Sequence, residues 1–179
     1  KALGADVSGV LSVEDRPTTT KTRFVGLAQH RHRQQLMRVD DESVAPLRDD
    51  DRDRIRGLAI DAVASVDAIC IEDYEKGLIT SELVSALVTE ARNSNKPVLV
   101  DPGRIADYKK YSGATLLTPN RSELALAIGQ ERTAIDEIAT EAETLRRSIS
   151  ADGIVVTLDR EGAVLVKEGV EWQHVPTRA

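Results

Sequence analysis

Two stretches decide the reading of this chain: Pro-Val-Leu-Val-Asp-Pro, Pro97 to Pro102, and Ala-Thr-Leu-Leu-Thr-Pro-Asn-Arg-Ser-Glu, Ala114 to Glu123. Val98, Leu99 and Val100 form an apolar run too short for a helix, and Leu116 with Leu117 forms another. Unbroken apolar runs of this length suit strands of a parallel sheet. Pro102 and Pro119 push the residue before each out of helical geometry, so each run stops where polar groups begin. Asp101, Thr118, Asn120 and Glu123 then fall at the carboxyl ends of adjacent strands, where open α/β sheets bind ligands.

The flanking pattern extends this sheet in both directions. Upstream, Arg16–Val25 and Gln34–Asp40 read as two antiparallel strands, joined through the polar segment Gln29-His30-Arg31-His32-Arg33. Lys21 and Arg23 share one strand face, and Thr20 and Thr22 the other. A strand pair this polar suits a flap over a site or a contact with a second subunit. Lys1 to Asp15 is expected to hold a helix end and a strand, Val7 to Val13. A helix is expected from Asp49, where three acids meet the positive end of the dipole. Ala68–Ile71 reads as a buried strand, with Cys70 packed inside as a small hydrophobe. Thr80 or Ser81 caps a helix whose inward stripe is Leu83, Val84, Leu87, Val88 and Ala91. Downstream come helices over about 121–128 and 134–149, a strand at Ile154–Thr157 and a hairpin turning near Glu168-Gly169. Alternating helices and strands predict a mostly parallel sheet with helices on both faces.

Composition narrows the function. The 179 residues suit one domain, and the 3% aromatic content requires an aliphatic core. A net charge of −6 argues against nucleic acid or an anionic membrane as partner. No apolar run approaches a membrane span. The single cysteine fits a reducing cytoplasm. The chain opens at Lys1-Ala2-Leu3-Gly4 without Met and closes at Thr177-Arg178-Ala179, so it is expected to be the middle part of a longer protein.

Several groups could carry chemistry. Asn120 to Glu123 allows two readings: a metal–phosphate site with Glu123 on Mg²⁺, or a capping box at a helix start. Asp73-Tyr74-Glu75-Lys76-Gly77 places an acid and a lysine at a strand's end, where they could bind a sugar hydroxyl and a phosphate; a solvated turn closed by Gly77 is the alternative. Thr157 and Gly162 suit a nucleotide phosphate or a plain turn. Lys21 and Arg23 offer positive charge for phosphate, or merely protect an edge strand. His30 and His32 stand beside arginines, which oppose cation binding. His174 and Trp172 are expected to pack or face solvent. No Gly-x-Gly-x-x-Gly or Walker-type loop is present.

Together these segments resemble the ribokinase-like (PfkB) carbohydrate kinases, and within them the D-glycero-β-D-manno-heptose 7-phosphate kinase branch. The residues that carry this are Arg16–Arg23 (Arg-Pro-Thr-Thr-Thr-Lys-Thr-Arg), Gln34–Asp40, Asp73–Gly77, Val98–Pro102, Gly113–Glu123 and Val156-Thr157 with Gly162. The resemblance implies a three-layer α/β/α sandwich with a mostly parallel sheet and a small β lid that often mediates dimers. The lid would span about 12–41, and the nucleotide-binding part about 50–179. It implies transfer of the ATP γ-phosphoryl to the anomeric hydroxyl of a heptose 7-phosphate, in ADP-heptose and lipopolysaccharide synthesis. Asn120, Glu123, Thr157 and Gly162 would serve Mg-ATP, with Glu123 toward the metal. Lys21, Arg23, Asp73, Lys76 and Asp101 are placed by position near the sugar phosphate. The family's catalytic base is an Asp in a Gly-Ala-Gly-Asp segment that this sequence lacks, so that Asp is expected beyond Ala179. The glycine-rich sugar-binding segment is lacking too. Gly103 stands where many of the branch carry a lysine. The 179 residues alone are therefore expected not to turn over. Competing readings are another sugar or nucleoside kinase of the family, or a non-catalytic nucleotide-binding or dimerisation module.

Overall fold

The computed structural model describes residues 4–26 and 33–178. The polar segment holding His30 and His32, and the helix end expected at Lys1, lie outside them. So does Ala179, and with it the point past which the catalytic Asp is expected. Two strands, β1 (Thr20–Gly26) and β2 (Gln34–Asp41), form an antiparallel pair. Then follow α1 (Asp49–Val63), β3 (Ile69–Glu72), α2 (Ser81–Asn93), β4 (Val98–Asp101), β5 (Leu116–Leu117), α3 (Arg121–Ile128), α4 (Ile135–Ser148), β6 (Gly153–Thr157), β7 (Ala163–Lys167) and β8 (Val170–Val175).

Six strands make one mixed sheet in the order β3-β4-β5-β6-β7-β8. β3 to β6 are parallel, and the β7–β8 hairpin is antiparallel. Each parallel crossover steps to the next strand in one direction. Right-handed connections therefore place α2, α3 and α4 on the same face. Burial agrees: Ile71, Val98, Val100, Leu117, Ile154, Val156 and Val164 join the inward residues of α2 and α4 in one core cluster. The stripe Leu83, Val84, Leu87, Val88 and Ala91 is buried as its spacing predicts.

On the opposite face, Leu99 pairs in register with Leu116 and Val155 with Leu165, and all four are half-buried; Leu116 meets Gly153 on β6. Cys70 aligns with Leu99 on that face and is exposed. The expectation of a buried Cys70 is thus corrected. An apolar run reads as covered on both sides, but β3 is the sheet's edge strand and no described helix packs over Cys70. The strand expected at Val7–Val13 does not form either. Val10 is 76% exposed, and no described strand lies beside the segment to complete a ladder.

Helix starts follow the local chemistry. Thr80 accepts the Leu83 amide at 3.2 Å at the start of α2. α1 has no side-chain cap among the described residues and opens on Asp49, Asp50 and Asp51. α3 ends at Gly129 in the left-handed conformation, with φ 74°.

Candidate active site

The parallel strands end in a row. Glu72 pairs with Asp101 in register, Val100 with Leu117, and an isolated bridge pairs Asn120 with Thr157. Thr118 Oγ1 donates to Asp101 Oδ1 at 3.2 Å, which ties the β4 and β5 ends together. Asp101, Thr118, Asn120 and Thr157 therefore line one rim.

At Asn120 the capping box is complete. The Asn120 side-chain oxygen accepts the Glu123 amide at 3.0 Å and the Ser122 hydroxyl at 2.8 Å. Glu123 Oε2 accepts the Asn120 amide at 2.8 Å. Capping leaves capacity over. Among the described residues, Asn120 Nδ2 and Glu123 Oε1 have no hydrogen-bond partner. One residue can thus hold the helix start and still present an oxygen or an amide to a ligand. Burial first, then the Glu123 and Asp101 carboxylates, push the Tyr108 phenol well above its usual range. Both carboxylates therefore lie within electrostatic reach of one buried ring. Among the described residues no group of three or more His, Cys, Asp or Glu could hold a metal. The open Oε1 of Glu123 is a hard oxygen of the kind Mg²⁺ takes, one or two carboxylates at a time with water and phosphate oxygens.

Beside α3 a cavity of about 400 Å³ is lined by Asn120, Arg121, Ser122, Arg132, Thr133 and Asp159. Its size is that of a small-molecule cleft. Thr157 is exposed and bridges to Asn120, its amide bonded to Pro119 O at 3.0 Å. Gly162 closes the turn after Thr157, with φ 95°. A Cβ there would overlap the Val175 carbonyl oxygen and lie 2.8 Å from Pro176 Cα. Backbone packing against the end of β8 is reason enough for this glycine.

A second grouping lies at the lid. Lys21 Nζ is 3.0 Å from Asp40 Oδ2 and 3.8 Å from Glu42 Oε2, and Lys76 pairs with the same Glu42. Glu42 thereby joins the lid to the loop after β3. Arg16 strengthens the joint by donating to the Lys76 carbonyl and, at 2.6 Å, to Ala45 O. Arg23 lies directly opposite Arg38 in the ladder, on the face that carries Lys21.

Asp73 is placed differently. Its side chain is 2% exposed. It receives the Tyr111 hydroxyl at 2.7 Å, Lys110 Nζ at 2.6 Å and the Glu75 amide at 2.9 Å. Tyr111 in turn accepts the Gly103 amide at 2.9 Å. Burial opposes ionisation of Asp73, but the Lys110, Tyr111 and Glu75 donors outweigh it and hold the carboxyl below its usual range. A Cβ on Gly103 would lie 2.7 Å from Glu75 Oε1, so a lysine at this position needs Glu75 to move. Asp73 thus anchors the strand-end loops from within. Residues that sequence reasoning did not single out are Glu42, Arg38, Lys110 and Tyr111. The alternation Arg38-x-Asp40-x-Glu42 continuing the face of β2 is the signal that could have found two of them.

A six-stranded α/β sheet with a two-stranded lid, and with a capped helix and a Thr-to-Gly turn at its rim, defines a sugar-kinase class of fold. The model of the pfkB family of carbohydrate kinases matches residues 1–179, and this chain belongs to that family. The bifunctional protein HldE of Rhodospirillum rubrum is 36% identical over 188 residues, covering 98% of this chain and 36% of that protein. HldE of Helicobacter pylori is 35% identical over 179 residues, covering 100% and 37%. The chain thus spans just over a third of these relatives. Among solved structures, Sa239 matches with a TM-score of 0.72 at 15% identity over 97% of this chain and 54% of its own. An Arabidopsis thaliana ribokinase, solved with ribose and ATP, matches with a TM-score of 0.58 at 14% identity, over 78% and 44%.

Proposed function

We propose that the protein to which this chain belongs is an ATP-dependent sugar kinase that phosphorylates the anomeric hydroxyl of D-glycero-D-manno-heptose 7-phosphate. The observation that carries this reading is the rim of Asp101, Asn120, Glu123 and Thr157 at the parallel strand ends, with Lys21 of the lid tied through Glu42 to Lys76 in the loop after β3. The HldE relatives, matched over nearly the whole chain, support the heptose branch.

Phosphoryl transfer is served by positioning and charge neutralisation more than by covalent chemistry. Asn120 Nδ2 and the first amides of α3 offer donors to phosphate oxygens. The Thr157 hydroxyl offers another. Asp101 and the open oxygen of Glu123 would hold Mg²⁺, which when bound neutralises charge building on the phosphates. Lys21, Arg23 and Lys76 face the sugar phosphate, while Asp73 keeps the Lys76 loop in place. The lid's far side carries Phe24, Met37 and Val39, respectively 48%, 53% and 49% exposed. Phe24 lies opposite Met37, and Thr22 opposite Val39, so the three form one apolar strip. That strip supports a homodimer through the lid, and the single cysteine supports a cytoplasmic setting.

The test is turnover by the parent protein with ATP and heptose 7-phosphate, fructose 6-phosphate or ribose. Heptose 7-phosphate should give the highest kcat/KM. Preference for ribose, or no transfer to any sugar, overturns the reading. Glu123→Gln separates capping from catalysis. It keeps an oxygen for the Asn120 amide, so the melting temperature should hold while kcat falls about 100-fold or more.

A further inference from the structure

Two tyrosines pack edge to face in the core, and only one of their hydroxyls is in use. Tyr108 and Tyr111 begin and end a short turn of 3-10 helix, their ring centroids 5.6 Å apart and their planes at 86°. The Tyr111 hydroxyl donates to Asp73 and accepts the Gly103 amide. Tyr108 is 2% exposed, and its buried hydroxyl has no hydrogen-bond partner among the described residues. A hydroxyl taken out of water without a partner is unfavourable. Phenylalanine would fill the same space without that loss, and buried tyrosines ordinarily find a partner for the O–H.

The surroundings of Tyr108 say what that partner is. It belongs to the core cluster that holds Val100, Leu117 and Leu124, the chain neighbours of Asp101, Thr118 and Glu123. The Glu123 and Asp101 carboxylates both act on its phenol and, with burial, keep the proton in place. The hydroxyl is therefore a permanent donor within electrostatic reach of two acids, yet it is bonded to neither. Each acid is half held already. Thr118 donates to Asp101 Oδ1 at 3.2 Å, and the Asn120 amide donates to Glu123 Oε2 at 2.8 Å. Outer groups of this kind aim the oxygens of metal sites, and water joins polar groups too far apart to touch.

We propose that Tyr108 is a positioning residue for a divalent cation held at Glu123: its hydroxyl accepts a hydrogen bond from a water of that cation's shell and turns its own proton toward the carboxylates. A hydroxyl has one proton to give and lone pairs to receive, so both halves are then used. Hard cations such as Mg²⁺ keep several waters and polarise them, which makes those waters strong donors. Tyr108 thus fixes, from the core, a water that the exposed rim alone would leave free to wander. The inference deepens the proposed function. It rests on that reading for the nucleotide that accompanies the cation, and not for the cation itself.

The experiment has two arms, both on the full-length parent protein. In the first, Mn²⁺ alone is titrated into wild type, Tyr108→Phe and Tyr111→Phe, with the free ion read by electron spin resonance. Wild type should bind, Tyr108→Phe should bind about 10-fold more weakly or worse, and Tyr111→Phe should match wild type. No binding by wild type, equal binding by Tyr108→Phe, or the same loss in Tyr111→Phe overturns the inference. The urea midpoint of Tyr108→Phe in chelator should equal or exceed that of wild type. A lower midpoint means that the hydroxyl serves the fold, and the inference falls. The second arm reads steady-state kinetics. Tyr108→Phe should raise the Mg²⁺ concentration for half-maximal rate by about 10-fold or more, leave KM for the sugar unchanged and recover kcat at high Mg²⁺. A loss of kcat that Mg²⁺ does not recover overturns it. If no sugar is phosphorylated while the Mn²⁺ titration behaves as expected, the kinase reading fails and the role of Tyr108 stands.

Discussion

Lys110 in the sheet body and Lys21 in the lid each sit between two carboxylates. Lys110 is 2.6 Å from Asp73 and 3.0 Å from Glu75, with a side chain 16% exposed. Lys21 is 3.0 Å from Asp40 and 3.8 Å from Glu42, and is 37% exposed. The body cluster is closed by the Tyr111 hydroxyl and backbone amides, so its polar groups are spent on holding structure. The lid cluster is open, looser and short of negative charge, so a ligand anion can compete for its cations. Similar residue types thus take opposite parts, and burial decides which.

The sharpest way to break this contrast is at the body's closing turn. Gly162→Ala forces a Cβ into the backbone of Val175 and Pro176 at φ 95°, and should destabilise by about 3 kcal/mol or more in urea unfolding. Next comes Asp73→Ala, which strands Lys110 and the Tyr111 hydroxyl and should cost about 3 kcal/mol. Asp40→Ala in the lid should leave the urea midpoint where it was. Equal losses for the two aspartates would erase the distinction. The acid side sharpens it. Asp73 ionises below the usual carboxylate range, so its contribution is present above that range and is lost as the pH falls through its folded value. Tyr111→Phe, which leaves the Gly103 amide and Asp73 each short of a partner, should cost about 1–2 kcal/mol.

The smallest effect lies far from either cluster. Glu143 is pulled down to about 2, first by its hydrogen bond with Arg146 and then, against burial, by Arg147. The stabilisation is complete above the ordinary glutamate range and fades as the pH drops toward 2. Wild type minus Glu143→Gln should therefore shrink between about pH 5 and pH 3, from a difference of about 1 kcal/mol or less.

Local signals made most of the body legible. Pro102 and Pro119 marked the strand ends, the Leu83–Ala91 stripe gave α2 its inner face, and Asn120 with Glu123 spelled a cap within one helical turn. Long-range partnerships were hidden. Asp73 reads as a polar turn residue until Tyr111, 38 positions on, closes over it. Arg38 reads as an ordinary strand arginine until the ladder sets it against Arg23. That register includes a slip between Phe24 and Val25, which no local pattern announces. The lid strands were thus readable singly, and the convergence of Lys21 and Lys76 on Glu42 was not.

Cys70 offers a practical handle. It is the sole thiol among the 179 residues and lies on the side of the sheet that the described helices leave bare. Maleimide labelling rates can therefore act as a footprint. Slow modification would show that other polypeptide shields the Leu99–Leu116–Val155–Leu165 side, and fast modification that it stays open.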